Sequence, residues 1–253
     1  MSRPDAPAPA PTRLDALAWH ALGSTHAPLA RPGPGGGDLA RAYDPEVTAF
    51  AGLRDGSEAA WQALAALLAP AEVVIVSGRG PFDPPDGWIV EGGAYGHQMV
   101  LERFDDLPEV APVEIVGLGD QDVPQMLDLV RRTQPGPFRR RTIEMGRYYG
   151  AFAEGRLIAM AGERLQTPDY GEISAVCTDP AARGRGLAAA LTRHVAAGMV
   201  DRGQTPLLHV EEHNDGARRV YERLGFRTRI RVPFVVVRAP SAEQPESQPA
   251  ARL

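Results

Sequence analysis

Six consecutive residues, Arg183-Gly184-Arg185-Gly186-Leu187-Ala188, place two glycines and two arginines between an apolar run and a helical pattern. Glycine lets the backbone turn tightly and lets a ligand approach its N–H groups. A helix starting at Leu187 would add unpartnered N–H donors and the positive end of its dipole, a setting that favours an anion such as a pyrophosphate. The preceding run, Glu172 to Thr178, reads as a strand buried on both faces. The turn would then lie at a strand C-terminus, where ligands of such sheets gather. Gly184-x-Gly186-x-x-Ala189 also matches a dinucleotide fingerprint and hence an NAD(P)-binding oxidoreductase. That fingerprint needs the strand to enter its first glycine directly. Here Pro180 should end the strand earlier, and too few elements follow, so this is the minor reading.

Other reactive side chains have competing explanations. His209, Glu211 and His213 share one strand face, and alternating ligands on a strand can hold zinc. No cysteine cluster or further histidine motif accompanies them, and no metal is expected. Cys177 could carry an acyl group, but a small residue in a buried strand is the simpler reading. Tyr221 lies on the stripe Ala217, Val220, Tyr221, Leu224, which by spacing alone is a core face. Asn214 is a helix N-cap by type and position. All 27 basic residues are arginine. The absence of lysine excludes Schiff-base and P-loop lysine chemistry. It also weakens Arg183, Arg185 and Arg193 as signs of phosphate recognition, because arginine stands wherever a cation is needed.

The elements that must position these groups follow from periodicity. The chain has 253 residues, 43% of them hydrophobic, with a single cysteine and a net charge of −5. No apolar run approaches the roughly 20 residues that span a bilayer, and the acidic balance argues against a nucleic-acid surface. A cytoplasmic protein with neither nucleic acid nor membrane as partner is expected. Residues 1–38 and 239–253 are rich in Pro, Ala and polar residues and read as disordered, apart from one or two helical turns over 14–22. Residues 40–112 read as a small α+β unit: a helix over 57–70, a strand over 72–78, and two more strands at 87–93 and 97–104. A turn-rich stretch over 105–112 separates it from a second unit over 113–238. That unit contains a strand at 113–119, a helix at 120–133 and a hairpin at 147–165. The buried strand at 172–178 follows, then a helix at 187–203, a strand at 205–213, a helix at 214–226 and a last strand at 227–238. This order predicts an α/β protein with a mixed sheet and helices on both faces.

Two stretches together carry a resemblance. Val176-x-x-x-Pro180-x-x-Arg183-Gly184-x-Gly186-x-Ala188 resembles the acyl-CoA-binding motif of the GNAT superfamily of N-acyltransferases. Val210-x-x-x-Asn214-x-x-Ala217-x-x-x-Tyr221-x-x-x-Gly225-Phe226 looks like its second motif. The match covers about 113–238 and is most similar to the subgroup resembling the C-terminal half of glycine N-acyltransferase. There a smaller, often degenerate GNAT-like half precedes the active one, a place residues 40–112 would fill. The resemblance implies a GNAT fold, a twisted and mostly antiparallel mixed sheet flanked by helices.

It also implies acetyl-CoA, or another acyl-CoA, as co-substrate. Backbone N–H groups at Gly184, Arg185, Gly186, Leu187 and Ala188, with Arg183, would bind the pyrophosphate. Ala175, Val176, Cys177 and Thr178 would meet the pantetheine arm like an added strand, with Asn214 and Ala217 alongside. The oxyanion would be held by a strand N–H near Val176. Attack on a thioester needs a neutral amine, yet an alkyl amine of pKa about 10 is roughly one part in a thousand neutral at pH 7. A base or water chain is therefore required. Glu172 is the first candidate, with Glu211 and His209 as alternatives. Tyr221 would protonate the departing CoA thiolate. The acceptor would be a small-molecule or peptide amine. Specificity would lie near 126–142 and 228–236, with Phe138, Tyr148, Tyr149 and Phe234 as lining or core aromatics. Proteins of this family often dimerise, so a homodimer is in keeping. The alternative is a non-catalytic acyl-CoA-binding or sensory module in which Tyr221 is only core.

Overall fold

A computed structural model describes residues 12–32, 37–80, 82–103 and 113–241. Ten strands form one sheet. In chain order they are β1 (Ala40–Ala42), β2 (Phe50–Leu53), β3 (Val73–Ser77), β4 (Ile89–Leu101), β5 (Val116–Leu118), β6 (Tyr148–Ala153), β7 (Arg156–Gln166), β8 (Tyr170–Thr178), β9 (Thr205–Glu211) and β10 (Phe226–Arg238). Across the sheet the order is β1-β2-β3-β10-β4-β9-β8-β7-β6-β5. Every pairing is antiparallel except β2 with β3 and β8 with β9.

Five α-helices cover it: α1 (Leu17–Leu22), α2 (Glu58–Ala65), α3 (Val123–Thr133), α4 (Leu187–Asp201) and α5 (Asp215–Arg223). The period-two alternation of the strands sorts their side chains between two faces. Ile173 and Leu208 pack with Leu191 and Val195 of α4 and with Tyr221 of α5. Leu207, one residue earlier on β9, packs instead with Leu14, Leu17 and Phe50 on the α1 face. Met160, Ala175 and Cys177 meet Met126 and Leu129 of α3. This is the mixed sheet, flanked by helices, that the sequence predicts.

Three details depart from the sequence reading. Residues 12–32 are ordered helical structure, not part of a disordered extension. Thr12 caps a short helical turn over Arg13–Ala16, and Leu14, Leu17, Ala18, Ala21 and Leu22 are buried. The bed for α1 is Gly52, where a Cβ would come within 2.2 Å of the Trp19 backbone nitrogen. Residues 87–93 and 97–104 do not form two strands: Ile89–Leu101 is the single strand β4. The glycines along it serve close approach. A Cβ on Gly93 would lie 2.6 Å from the Phe234 carbonyl oxygen, and one on Gly96 would lie 3.0 Å from that of Val210. Finally, β4 is seated between β10 and β9, so the sheet runs unbroken across the division expected at 112. The 105–112 boundary and the tail beyond 241 lie outside the described residues.

Candidate active site

The two parallel strands β8 and β9 pair only from Tyr170 with Thr205 to Ile173 with Leu208. Both continue past that point, β8 to Thr178 and β9 to Glu211, without pairing to each other. The gap between them is widened by a bulge. On the other side of β8, Met160 pairs with Cys177 and Gly162 with Ser174. Ala161 therefore opposes both Ala175 and Val176, and such an extra residue bends its strand. Ala175 takes a φ of +52°, a left-handed conformation costing an alanine roughly 1–2 kcal/mol. The alternation is shifted by one residue here, so Val176 packs on the α4 and α5 side and Cys177 against α3.

A cavity of about 530 Å³ opens at this gap. Its floor is Val176, Cys177 and Thr178, its far wall Asn214, Ala217 and Tyr221 of the α5 segment, and its rim the turn Arg183 to Ala188. Of the residues proposed for cofactor binding, all but Ala175 line it; Ala175 packs toward α3. Gly184 and Gly186 have φ of +78° and +76°, and nothing stands within 4 Å of where their Cβ atoms would be. Gly186 is the N-cap of α4 and has no side-chain cap. The first helical bond of α4 runs from the Ala190 N–H to the Gly186 carbonyl, so the N–H groups of 187–189 have no partner within the helix. Open space, free N–H donors and a positive helix end fit a pyrophosphate. Arg193 is not part of the lining. Thr133, Gln134 and Pro135 at the end of α3 are; from sequence this stretch is assigned to acceptor specificity and not to the cofactor.

Tyr221 is nearly buried, with its ring edge-on to Phe226. Its hydroxyl has no hydrogen-bond partner on the protein among the described residues. Burial, together with the neighbouring Cys177, pushes its pKa up to about 12. Burial likewise pushes the Cys177 thiol up to about 11. Asn214 caps α5 by accepting the Ala217 N–H at 3.0 Å.

A second cavity, of about 340 Å³, lies on the α1 face of the sheet. Pro135 lines both cavities, so the two are neighbours at the loop after α3. The three candidate bases lie on this face, in different environments. Glu172 has no solvent-exposed surface. Arg164 donates to its two oxygens at 2.9 and 2.5 Å, His209 Nδ1 lies at 2.7 Å, and the Leu165 N–H donates at 3.3 Å. Burial alone would raise its pKa, but the Arg164 charge and the His209 contact outweigh it and hold the carboxyl well below the usual range. Glu172 is thus a fully used, weakly basic anion and not the free carboxylate that proton abstraction needs.

His209 is engaged at both nitrogens. Gln98 accepts from Arg229 at its carbonyl oxygen (2.7 Å) and donates from its amide to the Leu14 carbonyl (3.0 Å), which fixes its orientation. Its Nε2 lies 3.2 Å from His209 Nε2. His209 must accept there and donate its Nδ1–H to Glu172. Glu211, two residues further along β9, lines the second cavity and makes no side-chain hydrogen bond or ion pair among the described residues. Of the aromatics considered for the acceptor region, Phe234 lines this cavity. Phe138 and Tyr148 stack on each other in the α3 core, and Tyr149 stacks on His194. Arg164, which anchors the whole buried array, was missed; its only trace is one arginine inside an apolar strand.

Comparison with known proteins agrees with this geometry. Residues 148–235 match the FR47-like protein family model. A crystal structure of a GNAT-family protein from Novosphingobium aromaticivorans is 39% identical, covers 90% of this chain and 98% of its own, and superposes with a TM-score of 0.80. The chain belongs to the GNAT family of acetyltransferases. This GNAT chain is also 42% identical over 79 residues to a mycothiol acetyltransferase of Mycobacterium sp. (strain JLS), covering 29% of this chain and 26% of that protein. It is 49% identical over 65 residues to one from Mycobacteroides abscessus, covering 24% and 21%. The GNAT chain therefore spans about a quarter of the length of the curated relatives it matches. A Drosophila protein shares the fold at 14% identity, with a TM-score of 0.59.

Proposed function

We propose that this protein transfers an acetyl or similar acyl group from CoA to a primary amine by direct attack. The observation that carries the reading is the unpaired gap between β8 and β9, with a phosphate-binding turn at one end and Tyr221 in its wall. Backbone N–H groups from Gly184 to Ala188 hold the pyrophosphate. The unpaired edge of β8 at Val176 to Thr178 offers main-chain groups to the pantetheine arm, and the N–H near Val176 is available to a tetrahedral oxyanion.

The amine arrives from the α1 face as a cation. Glu211 is the one candidate base with a free carboxylate, and it takes the proton directly or through a water. The amine nitrogen then attacks the thioester carbonyl, the C–S bond breaks, and CoA leaves as thiolate. Tyr221 serves that step as hydrogen-bond and proton donor. A phenol near 12 is a poor acid toward a thiolate in water, where a thiol ionises near 8.5. Within the cavity the comparison changes. Burial lifts the Cys177 thiol to about 11, and burial of the departing thiolate in the same cavity raises its proton affinity in the same direction, which favours transfer from Tyr221.

Tyr221→Phe tests the reading. Acetyl-CoA affinity should change less than about threefold, while kcat in a thiol-release assay falls by roughly 10² or more, the range for loss of a general acid. Unchanged turnover would remove Tyr221 from the mechanism. Acetyl-CoA binding without turnover in the wild type would favour the non-catalytic module.

A further inference from the structure

We infer that the acceptor is a primary amine carried on an apolar body, aromatic or branched aliphatic, with no acidic group. The inference rests on the acyl-transfer reading and names its second substrate. The acceptor-side cavity measures about 340 Å³, at the small end of the range for small-molecule sites. Phe50, Ile75, Phe234 and Val236 supply most of its side-chain wall, with Tyr95 and His209 also in the lining, and Gly93 and Gly96 bring backbone close on the β4 side.

Two charged side chains line it, Arg164 and Glu211. The Arg164 charge is already spent. Its guanidinium grips both oxygens of Glu172 and stacks on the Phe50 ring, 4.6 Å from the centroid. Among the described residues no free cation lines the wall to receive a carboxylate or phosphate, and Glu211 would repel one. Glu211 matches an ammonium group, and it lines the cavity together with His209 and Phe234. A sugar would turn hydroxyls against Phe50, Ile75 and Phe234 without partners, each lowering affinity by roughly tenfold. An apolar body loses nothing there and gains burial.

The test uses the full chain, with 2-phenylethylamine, glucosamine and glycine as acceptors at saturating acetyl-CoA. The inference expects kcat/KM for 2-phenylethylamine to exceed both others by about tenfold or more. It expects Phe234→Ser to narrow that gap, with Val236→Ser as the second variant if the first melts early. A preference for glucosamine or glycine overturns the inference and leaves acyl transfer standing. Calorimetric titration without acetyl-CoA separates the two claims. There 2-phenylethylamine should bind, Glu211→Gln should weaken it severalfold, and 2-phenylethanol should bind both proteins alike. Absence of 2-phenylethylamine binding overturns the inference whatever acetyl-CoA does. Binding without thiol release supports the pocket and counts against acyl transfer.

Discussion

At the scale of single residues, the array Arg164–Glu172–His209–Gln98–Arg229 explains why one candidate base of three is free. Its members spend their donors and acceptors on one another, and Glu211 beyond it is left facing the cavity. In the proposed mechanism Glu172 therefore holds structure and proton abstraction falls to another group. Glu172→Gln should leave a buried Arg164 guanidinium without its counter-charge and destabilise the fold by about 3 kcal/mol or more. Urea unfolding measures this. A loss below 1 kcal/mol, with activity abolished, would mean that Glu172 acts in catalysis after all. The sequence placed Glu172, His209 and Glu211 on adjacent strands but could not choose among them. The choice depends on Arg164 and Gln98, whose approach comes from strand register and not from any motif spacing.

At the scale of elements, the N-terminal helical segment is tied to the sheet by His26. Its Nδ1 lies 2.8 Å from the Tyr43 hydroxyl and its Nε2 3.0 Å from the Met145 carbonyl. Nε2 donates to the carbonyl, Nδ1 accepts from the tyrosine, and the ring is neutral. Burial lowers its pKa from 6.5 to about 4, against the raising effect of the Met145 carbonyl and Glu172. The unfolded chain binds this proton near pH 6.5 and the folded chain resists it until about 4. Stability from this group is therefore full above 6.5 and falls as the pH drops through that window, by up to about 3 kcal/mol. Melting temperatures between pH 7.5 and 4.5 should decline less steeply in His26→Gln than in the wild type. Parallel profiles would contradict the clamp. Only the helical turns over 14–22 were legible in this segment, because the rest of its composition resembles a disordered extension; the bed at Gly52 and the partner at Tyr43 come from elsewhere in the chain. The elements after residue 113 were legible to within a few residues, since their periodicities and caps are local.

At the scale of the whole molecule, the acceptor cavity draws Phe50 and Ile75 from the first part of the chain and Glu211 and Phe234 from the last. The first part had shown no chemical constellation in the sequence. Its contribution is an apolar wall, which carries no motif. The turn Arg183 to Ala188 and Tyr221, by contrast, are local patterns that line one cavity; by spacing alone Tyr221 reads as core, and its role beside a cofactor comes only from the resemblance.

The account rests most directly on an acyl-CoA lying in the gap between β8 and β9. Thermal unfolding of the purified protein with acetyl-CoA, and separately with NAD(P), tests this. A ligand bound only to the native state at 100 times its Kd stabilises by about 2.7 kcal/mol. The account expects a clear upward shift with acetyl-CoA and none with NAD(P); a shift with NAD(P) alone, and none with acetyl-CoA, would contradict it.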